Sequence, residues 1–483
     1  MPNVDTTHSD YGKYITRWAK CRDVADGEVK EKKQLYLPPL SGHDGPVDPE
    51  YMAYVQRAHY YNATGRTIDA LSGAVFAEDP TLTLPAKIEP LTEDVTLTGC
   101  SLDELANQIM EELLIVGRFG VLVDHMGRGE EVTVQIAEAR NIRAKLVPYK
   151  AEQIINWRYG LMNGRHQLVL VVLKEVYDEP KEDIFQTEQK TRYRVLRLDE
   201  GRYIQEVYEQ DGKEFNQTSS TAPSIGSTTF DYIPFFLFGP CNAQEIEQPP
   251  LWDLVEANLA HYRTSADYEH GVHFTGLPTL FGKGFKLRDD EVFPIGSSNA
   301  YVRSEDNADA KFIEFEGKGL ETIEKNLERK ESHMASLGAR LLQESPRQVE
   351  TAQAVNTKQS GENSVLASLA KSAGKGLTWC MTIFAEWMSA PGEVLVELNT
   401  DYIPDSVDAP TITALVGACQ KGLLTKESFA YNLQRGGYLP DGQTPEDEAA
   451  QAEEEDVPPP GMDELGQPPP QNQPNQPPQA ANG

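Results

Sequence analysis

GLETIEKNLERKESHMASLGARLLQESPRQVETAQAVNTKQSGENSVLASLAKSAGKGLTWCMTIFAEW, Gly319–Trp387, is the stretch on which the fold turns. Its first half sets Leu320, Ile323, Leu327, Met334, Leu337 and Leu341 in steps of three and four. That period predicts a helix over Leu320–Leu342 with one heptad-like seam, interrupted once by Lys330. At ~1.5 Å per residue such a helix is about 35 Å long. Pro346 breaks it, because proline removes a backbone donor and disfavours helix in the residue before it. A second helix is expected from near Glu350, through Val365, Leu366, Leu369, Leu377, Cys380, Ile383, Phe384 and Trp387. Its first third, Glu350–Ser364, is mostly polar. A polar third beside an apolar remainder suits a helix that passes from a cavity or channel wall into a packed core. A long helical hairpin in an ordinary α+β protein has the same periodicity.

Working upstream, Pro249-Pro250 opens another long helix, Leu251–His270, with Leu251, Val255, Leu259, Tyr262 and Ala266 on one face and Gly271 as its expected end. Between the two long helices the texture changes. Strand candidates at Thr279–Phe281, Tyr301–Arg303 and Lys311–Phe315 are separated by Gly, Pro and Asp turns. A compact β excursion between two long helices is the most informative architectural fact in the chain.

Residues 36–240 read as one α+β lobe. Before it, Tyr11–Cys21 is a short helix, and the run EVKEKK (Glu28–Lys33) a solvated face. Asp48-Pro49-Glu50 is a helix start, with Tyr51, Val55, Ala58 and Tyr61 on one side. Thr64 is the expected cap of a second helix through Ile68, Leu71 and Val75, and the two helices are expected to pack as a hairpin. Ser101 and Glu104 make a capping box for a helix with Leu102, Leu105, Ile109 and Leu113 buried, stopping at Gly117. Strands are expected at Gly117–His125, Val132–Ala137, Ile154–Gly160, Leu168–Tyr177, Arg192–Leu198, Arg202–Tyr208 and Ile233–Gly239, in antiparallel meanders. Downstream, Glu393–Asn399 is a lone strand that needs a partner far back in sequence. Ile412–Lys421 and Thr425–Gly436 are short helices, and residues 444–483 form an acidic, proline-rich tail expected to be disordered.

The chain has 483 residues, with Lys plus Arg 44 against Asp plus Glu 75, a formal charge of −31. So acidic a protein does not hold DNA by neutralising phosphates, although it can surround a polyanion that must slide without sticking. No run of apolar residues is long enough to span a membrane, and no basic-then-apolar leader opens the sequence. The five cysteines are far apart with no CxxC pair, which fits structural thiols in a reducing compartment.

Catalytic patterns are missing from the sequence. GKG occurs at Gly282–Gly284, Gly317–Gly319 and Gly374–Gly376, but without the spacing and following hydroxyl of a phosphate loop. GxSxG, HExxH and calcium-loop patterns do not occur, so the chain reads as no enzyme and carries no cofactor signature. The best metal trio is Asp267, His270 and His273, but a ligand pair at i, i+3 needs a helix that continues past Gly271, and histidines at helix ends commonly interact with the dipole instead. Asp289, Asp290 and Glu291 are an acidic turn with the chemistry for a cation or for solvent. The candidates for facing a polyanion are Lys325, Arg329, Lys330 and Arg340 on the first long helix, with Arg347 at the break. The alternative is that they pair with Glu321, Glu324, Glu328, Glu331 and Glu344 along the helix surface.

YLPPLSGHDG (Tyr36–Gly45), RAHYYNATGRTIDALSGAVF (Arg57–Phe76), GRFGVLVD (Gly117–Asp124) and EQIINWRY (Glu152–Tyr159), taken with this order of parts, resemble tailed-bacteriophage portal proteins, the head-to-tail connectors, in a family long catalogued as a domain of unknown function. The resemblance covers roughly residues 30–440. It implies an α+β portal architecture: an N-terminal segment 1–35, a wing over 36–248, stem helices over 249–271 and 319–343, and a clip over 272–318. A tunnel loop over 344–351, a long helix and returning wing strand over 352–405, a helical crown over 406–443 and the tail 444–483 complete it. It also implies a homo-oligomeric ring, usually of twelve copies, at one capsid vertex, assembled in the host cytoplasm and carried in the virion. Double-stranded DNA would pass through the ring, and the terminase large subunit, the major capsid or scaffolding protein and the head-completion or tail adaptor would dock on it. The long tail has no counterpart in that architecture. The other readings are a metal-dependent hydrolase built on Asp267, His270 and His273, and a monomeric acidic scaffold or adaptor.

Overall fold

Several helices of this chain start at side chains that satisfy the first free backbone donors. The computed structural model describes residues 3–40, 48–125, 140–162, 164–181, 183, 185–212, 214–225, 228–239, 245–276, 279–283, 309–313, 318–342 and 364–402. All of them belong to one unit, Met1–Tyr402, and a second unit, Ile403–Gly483, lies outside the described residues. The expected strands Val132–Ala137 and Tyr301–Arg303, the break at 344–351, the crown and the tail also lie outside them.

Helix α1, Ser9–Ala25, is longer than its sequence pattern predicted; the His8 ring accepts from the Asp10 N–H, and Trp18, Cys21 and Val24 are buried. The run after it is not wholly solvated, since Val29 is fully buried. Helix α2, Pro49–Arg57, starts at Asp48, whose carboxylate accepts from the Glu50 and Tyr51 amides. It ends before Tyr61, which therefore does not share its face. Helix α3, Ala63–Val75, is capped by Asn62 and not by Thr64. The Thr64 hydroxyl and amide instead both donate to Asn258, at 2.9 and 3.0 Å. The expected α2–α3 hairpin is replaced by another packing: α3 lies on α1 and on the next helix, and α2 and α3 each lie on the later helix Trp252–Thr275. After strand β1, Thr81–Thr83, helix α4, Leu102–Ile115, has its capping box in place, and Leu102, Leu105, Ile109 and Leu113 are buried as expected.

Strand β2, Phe119–His125, is followed by β3, Ala144–Lys150, which no sequence pattern announced. Then come β4, Ile154–Met162, β5, Arg165–Pro180, β6, Thr187–Asp199, β7, Arg202–Asp211, and β8, Glu214–Thr221. These five strands form one antiparallel meander in the order β4-β5-β6-β7-β8. Two short strands, β9 at Ser224–Ile225 and β10 at Thr228–Thr229, pair with each other. Strand β11, Phe235–Phe238, returns to β2, giving a three-stranded sheet β11-β2-β3. One face of the meander joins the main core through Ile154, Trp157, Val171 and Leu196. The other face buries Ile155, Val172, Tyr193 and Val195 beneath Val4 and Tyr11 of the N-terminal segment. That segment is tied down by the His8 N–H to the Ile155 carbonyl at 2.9 Å and by His8 stacked on Trp157 at 4.1 Å.

Two helices follow, α5 at Trp252–Thr275 and, after strands β12, Thr279–Lys283, and β13, Asp309–Ile313, which pair antiparallel, α6 at Lys318–Ala339. Helix α2 packs on α5. Helix α7, Val365–Trp387, starts later than the periodicity predicted, because Ser364 is extended and its hydroxyl accepts from the Ala367 amide. Strand β14, Leu395–Glu397, finds its distant partner in β1. The Gly374-Lys375-Gly376 motif proves to be a packing device. A Cβ on Gly376 would stand 2.3 Å from Phe238 and 2.6 Å from Phe236, so only a bare backbone lets α7 lie this close to β11.

Two buried ion clusters fasten these layers. Arg22 of α1 is bidentate to Glu112 of α4 and to Glu152 before β4, with shortest contacts of 2.6 Å each. Glu175 of β5 accepts from Arg194 at 2.6 Å, Arg192 at 2.5 Å and the Tyr149 hydroxyl at 2.6 Å, while Arg194 also lies 3.8 Å from Asp124. This second cluster locks the three-stranded sheet to the meander. Burial alone would raise the Glu175 pKa, but Arg194, Tyr149 and Arg192 together bring it down to about 2.

Three substitutions test this packing. Gly376→Ala should lower the melting temperature although alanine is the better helix former, since overpacking costs about 1–3 kcal/mol against the ~1 kcal/mol gained in propensity. Gly73→Ala in α3, where a Cβ meets nothing within 4 Å, should instead raise stability by up to about 1 kcal/mol. Glu175→Gln leaves Arg194 buried without its main partner and should cost about 3–5 kcal/mol at pH 7. Because the folded pKa of Glu175 lies below its unfolded value, its contribution is complete above about pH 5 and fades as pH falls towards 2. Urea midpoints of the wild type and the variant across that window should therefore converge on acidification.

Candidate functional site

The α5–α6 pair is where the sequence placed its candidate residues, and polar groups on α5 organise it. Gly271 does not end α5, which runs on to Thr275. The glycine serves close approach: a Cβ there would meet the Leu320 side chain at 2.6 Å. Helix α6 follows its expected span, with the last turn, Arg340–Leu342, tightened to 3-10. Its seam residues Met334, Leu337 and Leu341 are buried, while Leu320, Ile323 and Leu327 are half-buried.

Lys330, the polar interruption, points its ammonium at α5. It donates to the Ala260 carbonyl at 2.9 Å and to the Thr264 hydroxyl at 2.5 Å. The next residue of α6, Glu331, meets the ring of His261 at 3.2 Å. Burial holds the Lys330 and His261 pKa values below their ordinary levels. On the other side of α5, fully buried Asn258 donates to the Tyr61 carbonyl at 2.8 Å and accepts from Thr64.

Of the other polyanion candidates, Lys325 pairs with Glu321 at 2.6 Å on the exposed face, as the surface-pairing alternative anticipates. Arg329 and Arg340 are exposed, and Arg347 lies outside the described residues. The exposed face of α6 thus alternates in sign, with Glu321, Glu324, Lys325, Glu328 and Arg329.

Asp267 and His270 have protein partners: Asp267 accepts from the Tyr54 hydroxyl at 2.6 Å, and His270 lies 3.2 Å from Arg57. No group of three or more His, Cys, Asp or Glu among the described residues is arranged to hold a metal ion. The trio Asp289, Asp290 and Glu291 lies outside them. Burial pushes the Cys21 thiol up to about 12 and the Cys380 thiol higher still, so both are inert packing groups. Among the described residues no helix is long and apolar enough to cross a membrane.

Sequence reasoning missed a cleft of about 330 Å³ between α3 and α6. Arg66, Thr67 and Leu71 line one side, and Met334, Ala335 and Leu342 the other. The Arg66 guanidinium lies over the Tyr61 ring, 4.9 Å from its centroid. Gly338 brings the helices together at its floor, where a Cβ would touch Thr67 at 3.0 Å. The small residues of ASLGA (Ala335–Ala339) are the only trace of it in the sequence.

The family described as "Domain of unknown function (DUF4055)" matches residues 250–388. That span covers α5, α6 and α7 but none of the four stretches on which the resemblance to portal proteins was drawn. No curated protein matches the chain. Among solved structures, the chain is similar to one from the virion of a native gene transfer agent particle, at 14% identity and a TM-score of 0.38, covering 86% of this chain and 99% of that one. It is also similar to chains from the neck of the empty particle computed with C6 symmetry, at 13% and 0.40, covering 84% and 99%, and from the neck of the native particle computed with C12 symmetry, at 13% and 0.40, covering 81% and 96%.

The buried imidazole makes the helix contact sensitive to pH. Burial lowers the His261 pKa most, Glu331 opposes that, and Lys330 and His59 add to it. A histidine with a depressed folded pKa contributes stability above its unfolded value of ~6.5 and loses it as pH falls through the folded one. Urea midpoints between pH 8 and 5 should fall on the acid side, and His261→Gln should flatten that part of the curve.

Proposed function

We propose that this chain is a structural protein of a tailed-phage or phage-like virion, and within that class the portal subunit. The observation that carries the reading is the succession α5, the β12–β13 hairpin and α6: two long helices joined through a β excursion, packed along one seam, with a charged outer face on α6. In the proposed assembly about twelve copies close into a ring through head-to-tail contacts. Helices α5 and α6 form the stem around double-stranded DNA, and the β12–β13 hairpin belongs to the clip. The terminase large subunit and the head-completion or tail adaptor dock at the clip. The wing, built on the two sheets, meets the major capsid or scaffolding protein. Assembly takes place in the host cytoplasm before the ring is carried in the virion.

The electrostatics suit translocation better than binding. A chain of net charge −31 repels phosphates over most of its surface, so DNA is not held along the wall. Exposed Arg329 and Arg340, with Lys325 and Arg347, are the cations we assign to the channel. Lys330 adds its charge from behind, at the helix contact.

Native mass measurement of the purified chain tests the assembly. Twelve copies of a 53.7 kDa chain give roughly 640 kDa, whereas a dimer at every concentration and salt would overturn the portal reading. Within a ring of unchanged mass, Arg329→Glu with Arg340→Glu should lower the DNA packaged per head. Unchanged packaging would remove these residues from the channel.

A further inference from the structure

Two features remain outside the stem: the end of the long meander hairpin and the α3–α6 cleft. Strand β4 accompanies β5 only as far as Leu173, and β7 accompanies β6 only from Arg192. Beyond those points Val176–Pro180 pairs only with Thr187–Thr191. Five residue pairs at ~3.4 Å per residue project about 17 Å past the sheet. A lone two-stranded hairpin is marginally stable in water. This one is braced by ion pairs of Lys190 with Glu179 and Lys181 with Glu188, and by Arg192 over the Tyr177 ring.

At its end stands Phe185, 89% exposed, with its N–H held by the Asp183 carboxylate at 3.1 Å. A braced arm that presents a phenylalanine to water is built for a partner. Its exposure also shows that the arm does not fill the cleft of its own chain. That cleft has the complementary properties: room for one aromatic ring, apolar walls in Leu71, Met334 and Ala335, and charges of both signs in Arg66 and Glu331, as the arm end has in Asp183 and Lys181.

We propose that the β5–β6 arm of one copy seats Phe185 in the α3–α6 cleft of a second copy. Knob and hole lie on different parts of the chain, so the contact is heterologous and propagates from copy to copy until it closes. The inference rests on the ring reading and assigns to it one anchoring contact. The Asp183 carboxylate approaches Arg66 as Phe185 enters, and the aromatic supplies the desolvated centre on which such contacts depend.

The test places a photo-cross-linking phenylalanine analogue at position 185 of the full-length protein and maps the products by peptide mass spectrometry. The expected products join position 185 to residues 61–71 or 331–342 of another copy. Phe185→Asp and, on the hole side, Ala335→Trp should each raise the apparent dissociation constant of assembly about tenfold or more, with unchanged thermal melts of the dissociated chain. Ala335 is exposed on α6, so its replacement leaves the core intact. A multimer that cross-links elsewhere, or that ignores both substitutions, overturns this contact and leaves the ring reading standing. A wild type that stays monomeric at every concentration overturns both.

Discussion

The helical layer depends on polar groups set into the apolar faces of α5. Asn258 serves Tyr61 and Thr64 on one side. On the other, the Ala260 carbonyl and Thr264 hydroxyl hold Lys330, and His261 meets Glu331. Apolar seams tolerate sliding, because one methyl replaces another with little change in energy. A buried amide or ammonium is satisfied in one register only, and leaving such a group without a partner costs about 1–3 kcal/mol. The polar rungs therefore set how α3, α5 and α6 lie against each other, while the leucines and methionines supply the general attraction.

The sheets follow the same logic with charge. Glu175 and Arg194 sit where the three-stranded sheet meets the meander, and Arg22 sits where α1, α4 and the start of β4 converge. Each arginine presents a fork that two carboxylate oxygens fit together, so the pairs specify orientation as well as proximity. Elsewhere contact is set by the lack of a side chain, as at Gly376 beneath Phe236 and Phe238. The sheets and α7 are thus packed together, and the α5–α6 pair and the β5–β6 arm extend the same unit.

That division of labour bears on function. The α5–α6 pair is cohesive on its inner seam and α6 alternates in charge outside, the pattern the proposed stem role calls for in a wall that must bear load and not adhere to a polyanion. The arm and the cleft carry apolar surface in small, separated pieces, which suits contacts made in a fixed geometry between identical subunits and not a continuous sticky face.

Much of this was legible in the sequence because it is local. Periodicity located the long helices, the capping box at Ser101 and Glu104 marked α4, and alternation located most of the meander. The need of Glu393–Asn399 for a remote partner was also legible, since a lone strand cannot satisfy its own backbone; the partner itself, β1, was not. Tertiary structure decided what depends on a neighbour distant in sequence. Gly271 reads as a helix end until Leu320 is placed beside it, Thr64 reads as a cap until Asn258 takes its hydroxyl, and Lys330 reads as a polar break in an apolar seam until α5 offers it a carbonyl and a hydroxyl. The cleft and the exposed arm were hidden for the same reason. Local sequence determines which conformations a segment favours, but the partner of a buried polar group, and the space left between two helices, exist only once the chain has brought remote segments together.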